Sequence, residues 1–109
     1  MQSVSLNELA DIHLEKARSA SAGRSATTVY GDHSHELRQT LIALAQGESL
    51  ADHESPGEAT LQVLVGRVQM TAGDDTWEGI AGDLVPIPSV RHGLQALDDS
   101  VFLLTVRAH

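Results

Sequence analysis

The feature that most constrains this 109-residue chain is a series of short apolar runs after Glu36, each bounded by a turn signal. In the run at 67–72, Val68, Met70 and Ala72 alternate with polar residues, which is the period of a half-buried strand. The other runs read LRQTLIALA, ATLQVLVG, TWEGI, LVPIP, HGLQAL and VFLLTV. Short strands in this number, with frequent turns, predict an all-β sandwich or barrel.

Three local features refine this prediction. The run LRQTLIALA is apolar enough to form a strand that is buried on both faces. Pro86 and Pro88 cannot donate to a sheet ladder, so their strand should lie at an edge or bend there. Asp98 and Asp99 separate HGLQAL from VFLLTV and favour a hairpin between those two runs.

The N-terminal residues predict one helix. Ser5 with Glu8 fits a capping box, in which the serine oxygen accepts from the amide of the third helical residue. An apolar face follows at helical spacing, formed by Leu6, Leu9, Ala10, His13, Leu14 and Ala17. The small, polar segment 17–28 breaks this pattern and predicts a connector. We therefore expect a helix and connector in residues 1–30 and a β-barrel domain in residues 31–109.

Charge and cysteine content limit the partners and the compartment. The chain has no cysteine, which excludes disulfides and thiolate metal sites. Its formal net charge of −8 opposes binding to phosphate backbones and anionic lipids, so neither nucleic acid nor a membrane is an expected partner. The acidic N-terminus lacks the pattern of a secretory signal, and no run is long enough to span a membrane. The expected location is the cytoplasm.

A motif within residues 47–66 resembles the first motif of the cupins, a superfamily of small double-stranded β-helix (jelly-roll) barrels. Gly47 is followed by five residues and then by His53, and Gly66 closes the motif. The Pro-Gly pair at 56–57 lies where such motifs often turn. By this resemblance, the segment is a pocket strand of a barrel.

The second cupin motif is matched by Gly82 and Pro88, and His92 follows one residue earlier than in that pattern. Fifteen residues separate Gly66 from Gly82, a short interval that is similar to that of compact bacterial cupins. The resemblance covers roughly residues 37–106. It implies a single-domain cupin jelly-roll barrel preceded by the short N-terminal helix.

In metal-binding cupins, two histidines of the first motif, a glutamate and a late histidine form the ligand set. Carried over position by position, His53 takes the first place and His92 the last. The second histidine position is Ser55, and the glutamate position is Ala59. The resemblance therefore implies a divalent transition metal (Zn, Fe, Mn or Ni) as the cofactor, but two of its four usual ligands are missing.

Two other features offer replacements for the missing ligands. Glu58 precedes Ala59, but on a regular strand its side chain faces the opposite side unless the turn at 56–57 shifts the register. His33 and His35 have a His-x-His spacing, which puts both rings on one face if the segment is extended. The alternative for this pair is a polar lead-in to the first strand.

The carried-over motifs also predict a pocket. Its histidines could bind a ligand or shuttle a proton. Arg91 could clamp an anionic ligand with its bidentate guanidinium, or lie solvated in a loop. Trp77 is a packing residue or a ring that stacks on a ligand at the barrel wall. The predicted pocket residues are His53, Ser55, Ala59, Arg91 and His92.

Two functions fit these residues. The first is a non-catalytic or weakly catalytic module that binds a small molecule in the barrel, with an incomplete metal site at His53 and His92. The alternative is a metal-dependent cupin enzyme, an oxygenase or isomerase, in which Glu58 or His35 completes the ligand set. Retained histidines combined with missing ligands favour the first.

We also predict that the chain forms a homodimer. Small cupins commonly pair, and LRQTLIALA is more apolar than one exposed strand face should be. A twofold pair is the commonest closed assembly. Size-exclusion chromatography with light scattering should therefore give twice the 11.6 kDa of one chain, and a mass of 11.6 kDa would overturn this prediction.

Overall fold

The computed structural model describes residues 1–54 and 57–108. Within them the chain forms one helix, α1 (Leu6–Ser19), and nine strands. The strands are β1 (Arg24–Tyr30), β2 (Leu37–Leu44), β3 (Ser49–His53), β4 (Ala59–Val65), β5 (Arg67–Ala72), β6 (Asp75–Ile80), β7 (Leu84–Pro86), β8 (His92–Ala96) and β9 (Ser100–Arg107). Across these described residues, no helix is both long enough and apolar enough to cross a membrane.

The described strands form two antiparallel sheets. One has five strands in the order β1-β2-β9-β4-β7, and the other has four in the order β3-β8-β5-β6. The chain passes from the first sheet to the second after β2, after β4 and after β7. The predicted all-β barrel with an N-terminal helix is confirmed.

The two sheets enclose an apolar core. Leu61 and Val63 on β4 are buried, as are Val68 and Met70 on β5, so both strands show period-two alternation. Phe102 on β9 is the largest of the fully buried side chains. The core cluster consists of Leu44, Leu61, Val63, Val68, Met70, Leu94, Ala96 and Phe102.

Helix α1 packs against the other face of the five-stranded sheet. The hydroxyl of Ser5 accepts from the backbone N–H of Glu8 at 3.1 Å, which is the serine half of the predicted capping box. His13 is buried, and its Nδ1 lies 2.7 Å from Oγ of Ser25 on β1. The rest of the buried contact is apolar and consists of Ala10, Leu14 and Ala17 against Leu41, Ala43, Val101 and Leu103.

The prediction of a connector at residues 17–28 is wrong in its second half. The helix continues to Ser19, and β1 already begins at Arg24 and pairs with β2 along its length. The small polar composition hides an edge strand, which alternates between exposed and half-buried positions. Its inward positions include Ser25, which contacts the helix through its hydroxyl, so a polar residue fits there.

Strand β2 is covered on both faces in its second half, as the sequence predicts. Leu41 and Ala43 face the helix, and Leu44 belongs to the core between the sheets. The apolar outer face of this strand is therefore buried within one chain. The homodimer remains a prediction, and it now depends on the cupin resemblance rather than on this strand.

The predicted hairpin at Asp98 and Asp99 is wrong. β8 belongs to the four-stranded sheet and β9 to the five-stranded sheet, so the chain crosses between the sheets at these residues. The crossing from β4 to β5 at Gly66 packs against it: Gly66 has a φ of +84°, and a Cβ there would collide with Ser100. Fully buried Ser100 accepts from the backbone N–H of Arg67 at 3.0 Å and joins the two crossings.

Other turn and edge predictions are confirmed. β5 and β6 form a hairpin across the turn at 73–74, with Ala72 opposite Asp75. β7, which contains Pro86, is an edge strand of the five-stranded sheet. A proline is tolerated there because one side of an edge strand needs no ladder hydrogen bond.

Asp99 connects helix α1 to the segment where the chain crosses from β8 to β9, and its replacement should destabilise the fold. Its carboxylate accepts from the backbone N–H of Gln46 at 2.8 Å and from Nε of Arg18 at 2.7 Å. These two bonds, the Gln46 amide first, lower the pKa of Asp99 from 3.8. Since both side chains are partly exposed, we expect Asp99→Ala to reduce the free energy of unfolding by about 1 kcal/mol near neutral pH.

The pH dependence has a definite sign. A carboxylate whose folded pKa is lowered stabilises the fold fully above its unfolded pKa, and this contribution is lost as the pH falls through the folded value. Urea unfolding should therefore show a smaller difference between wild type and Asp99→Ala below the unfolded pKa of 3.8 than at neutral pH. The exposed pair of Asp98 and Arg67 supplies the control: Asp98→Ala should cost less than about 0.5 kcal/mol. An equal loss in both variants would contradict this account.

Candidate functional site

The register of β3 and β8 places His53 directly opposite His92. A shift in that register between Leu50 and His53 allows this pairing, and on its other side His92 pairs with Ala72 of β5. The two imidazole ring centroids are 4.5 Å apart, with an angle of 63° between the ring planes. His92 is 4% exposed, whereas His53 is exposed at the barrel rim.

Both rings are oriented by the same kind of backbone contact. Nδ1 of His53 lies 3.0 Å from the carbonyl oxygen of Ala51, and Nδ1 of His92 lies 2.9 Å from that of Val90. A carbonyl oxygen can only accept, so Nδ1 carries the proton in each ring. In a neutral imidazole the other nitrogen, Nε2, then carries a lone pair. Each histidine thus offers one acceptor for a ligand.

The two histidines both line a small cavity of about 40 Å³. Apart from them, its described lining is apolar, which makes the two rings its polar groups. A single water molecule takes up about 30 Å³ in the liquid, so the cavity fits one small polar substituent rather than a whole organic ligand. The lining residues are Ile42, Leu50, His53, Leu61, Met70, Ile87, His92, Leu94, Phe102 and Leu104.

A larger groove adjoins this cavity. It has a volume of about 230 Å³ and shares Met70 with the cavity lining. Ala72, the register partner of His92, and Val90, whose carbonyl orients that histidine, also line it. The described residues that line the groove are Met70, Ala72, Asp75, Thr76, Trp77, Val85, Pro88 and Val90.

Arg91 lies at the rim, where its guanidinium already has partners. Nη1 donates to the carboxylate of Glu54 at 3.2 Å, and Nη2 donates to the backbone carbonyl of Asp52 at 3.0 Å. The side chains of Arg91 and Glu54 are 59% and 80% exposed. Arg91 therefore connects the end of β3 to the segment before β8, and it lines neither the cavity nor the groove.

The carboxylate position of the cupin pattern is filled by a buried methyl group. Ala59 begins β4 and is 7% exposed, with Val106 of β9 as its partner. Glu58 lines a separate surface groove with Leu37 and Arg107, and it does not line the histidine cavity. Ser55, the second histidine position, lies outside the described residues.

His33 and His35 do not adopt the extended geometry that would put both rings on one face. Residues 32–35 form a turn closed by a hydrogen bond from the amide of His35 to the carbonyl of Asp32. Oδ1 of Asp32 accepts from the amide and hydroxyl of Ser34 and lies 2.8 Å from Nδ1 of His35. These contacts, those of Ser34 first, lower the pKa of Asp32 to about 2. The side chains of Asp32, Ser34 and His35 thus stabilise the turn.

These placements test whether the residues present fit the metal that the resemblance implies. A stable divalent site normally takes at least three protein ligands of fixed geometry. Among residues 1–54 and 57–108, no group of three or more His, Asp or Glu side chains is arranged to hold a metal ion. His53 and His92 supply two imidazole nitrogens, and Ala59 supplies none. The described ligand set does not fit the metal.

Several pocket residues were not identified as such from the sequence. Ile87, Phe102 and Leu104 line the cavity, and Val85 forms part of the groove. Period-two alternation indicates which face of a strand is buried but not where the buried side chains leave space. Trp77, for which the sequence offered packing or ligand stacking as alternatives, also lines the groove.

No family model and no curated protein matches this chain. Solved structures do, and a conserved protein of unknown function from Streptococcus pyogenes superposes with a TM-score of 0.72 at 24% identity, over 83% of this chain and 78% of its own. A cupin superfamily protein from Desulfitobacterium hafniense gives 0.71 at 17% identity, over 79% and 78%.

A larger protein contains the same fold. Salicylate 1,2-dioxygenase from Pseudoaminobacter salicylatoxidans, in a variant bound to gentisate, gives a TM-score of 0.80 at 21% identity. The match covers 98% of this chain but only 36% of the dioxygenase chain. At these identities the comparisons establish the fold, and the chain has the cupin fold that its motifs indicate.

The backbone contacts of the two histidines predict an unusual tautomer. Neutral histidine in water favours the proton on Nε2, but the carbonyls of Ala51 and Val90 require it on Nδ1. Long-range proton–nitrogen correlation spectra at alkaline pH should show the Nδ1–H pattern for His53 and His92. Exposed His33 serves as the reference. An Nε2–H pattern at His92 would contradict this geometry.

Proposed function

We propose that this protein binds a small organic molecule at the mouth of the barrel, with His53 and His92 holding a polar group of that molecule. The observation that carries the proposal is that the two neighbouring histidines line the same apolar cavity and have the same kind of backbone contact. Each imidazole has its Nδ1 fixed by a backbone carbonyl, which leaves its Nε2 as the nitrogen that can accept from a ligand.

The chemistry of the site favours a neutral ligand that donates a hydrogen bond. Lone pairs on Nε2 accept from a hydroxyl group, and the apolar walls favour a hydrophobic remainder. In the described residues that line the cavity and the groove there is no Lys or Arg, and Asp75 lines the groove. An acidic protein with a net charge of −8 also repels anions. A hydroxyl group fits this site better than a carboxylate.

The incomplete ligand set supports binding rather than metal-dependent catalysis. Oxygenase or isomerase chemistry through a metal needs a third ligand, and the described structure places neither Glu58 nor His35 with the two histidines. Salicylate 1,2-dioxygenase, part of which shares this fold, was solved in complex with gentisate, and this supports an organic ligand for the present chain. For this chain we propose ligand binding without a metal.

Metal analysis separates the two functions. Untagged protein, reconstituted in turn with Zn, Fe, Mn and Ni and then desalted, should retain well below one metal per chain by mass spectrometry, because two imidazoles bind weakly. His53→Ala and His92→Ala should change this little. One metal per chain, lost in both variants, would overturn the proposal and favour the metalloenzyme.

Phenol is a suitable first probe for binding because it combines one hydroxyl donor with a small apolar body. We expect His53→Ala to weaken phenol binding about five-fold, the equivalent of one hydrogen bond, without unfolding the protein, since His53 is exposed. Amide chemical shifts give the dissociation constant even when binding is weak. His33→Ala removes another exposed histidine and should leave the affinity unchanged. Equal affinity in wild type and His53→Ala would count against the proposed site.

A further inference from the structure

Trp77 lies in a position that a glycine makes possible. Trp77 and Gly79 are two residues apart on β6 and therefore share a face of the strand. A Cβ added to Gly79 would lie 2.6 Å from Cζ2 and 2.8 Å from Cζ3 of the indole, well inside van der Waals contact. Gly79 is not among the glycines with positive φ, so its backbone conformation does not require glycine. Glycine is required because the indole occupies the space that a Cβ would need.

This arrangement gives the groove a fixed aromatic wall. The six-membered ring of Trp77 rests along the strand over Gly79, and Trp77 is also one of the groove residues. The apolar residues that line the same groove include Val85, Pro88 and Val90. A flat ring between an indole and aliphatic side chains gains stacking as well as hydrophobic burial.

The volumes match a ligand made of one ring and one small substituent. An apolar cavity of about 150 Å³ is enough to bind benzene, so the groove, at about 230 Å³, accommodates a single ring. The neighbouring cavity that the histidines line, at about 40 Å³, accommodates a hydroxyl group. Met70 lines both spaces, so they are neighbours, and a ligand that fills both would span them past this side chain.

We propose that Trp77, seated on Gly79, is an aromatic-ring subsite, and that the protein's ligand is a phenol-like compound whose hydroxyl reaches His53 and His92. The inference rests on the proposed function, which it deepens by naming the class of ligand. Gly79 is a positioning residue that acts through Trp77.

Paired probes with and without an aromatic ring test this subsite. Phenol and cyclohexanol have similar size and one hydroxyl each, but phenol has a planar aromatic ring and is also the stronger hydrogen-bond donor. The part of its preference that depends on Trp77 is therefore the measure of the subsite. From the strength of aromatic pairs, phenol should bind about three-fold to ten-fold more tightly than cyclohexanol. Because Trp77 is the only tryptophan, its indole N–H gives a single resonance, which phenol should shift more than cyclohexanol does.

Two variants remove the subsite in different ways. Trp77→Leu keeps an apolar wall without a ring, and Gly79→Ala keeps the tryptophan but displaces its indole from the strand. Both should reduce the preference for phenol about three-fold or more while cyclohexanol binding changes little. Glu78→Ala is the control: Glu78 lies between Trp77 and Gly79 on the same strand, is exposed, and lines neither the groove nor the cavity. It should keep the full preference.

The outcomes separate the subsite from the proposed function. If both probes bind equally well, and both lose affinity in His53→Ala, the histidine site stands and the ring subsite is wrong. If neither probe binds, or if His53→Ala changes neither affinity, the proposed function fails and the subsite fails with it. An undiminished phenol preference in Trp77→Leu overturns the subsite alone, whereas a reduced preference in both Trp77→Leu and Gly79→Ala supports it.

Discussion

The structure depends on one sheet that must be covered on both faces. β9 lies in the middle of the five-stranded sheet and is apolar on both sides: Val101 and Leu103 face the helix, whereas Phe102 faces the barrel core. A strand of this kind is stable only between two other layers. The helix supplies one layer and the four-stranded sheet supplies the other. Burial of these side chains thus fixes which side of the sheet becomes the pocket.

The crossings between the sheets then fix where the histidines lie. Gly66 and Ser100 bring two crossings into contact, and the chain can pass there only because Gly66 has no side chain. β8 leads into one of these crossings, and its register with β3 sets His92 opposite His53. The site thus follows from backbone geometry, with carbonyls of Ala51 and Val90 orienting both rings. The described residues that line the cavity include no Lys, Arg, Asp or Glu.

Sequence patterns predicted the fold better than its connections. Period-two runs, the capping serine and the edge prolines give the layers correctly, because each depends on local chemistry. The strand at Arg24–Tyr30 and the sheet crossing at 98–99 were missed, because both depend on pairing with residues that are distant in the sequence. For the site, motif spacing identified His53 and His92. Trp77 was named as a possible stacking ring, but its contact with Gly79 could not be anticipated, since it depends on how the indole folds along the strand.

The central claim is that the barrel mouth holds an organic molecule rather than a metal ion. The most direct test is a crystal structure of the protein with para-bromophenol, with anomalous data recorded to locate both bromine and transition metals. Our account predicts bromine density in the groove beside Trp77, the phenol oxygen within hydrogen-bond distance of a histidine Nε2, and no metal peak between the rings. A metal peak bound by His53 and His92, with bromine absent from the groove, would contradict it.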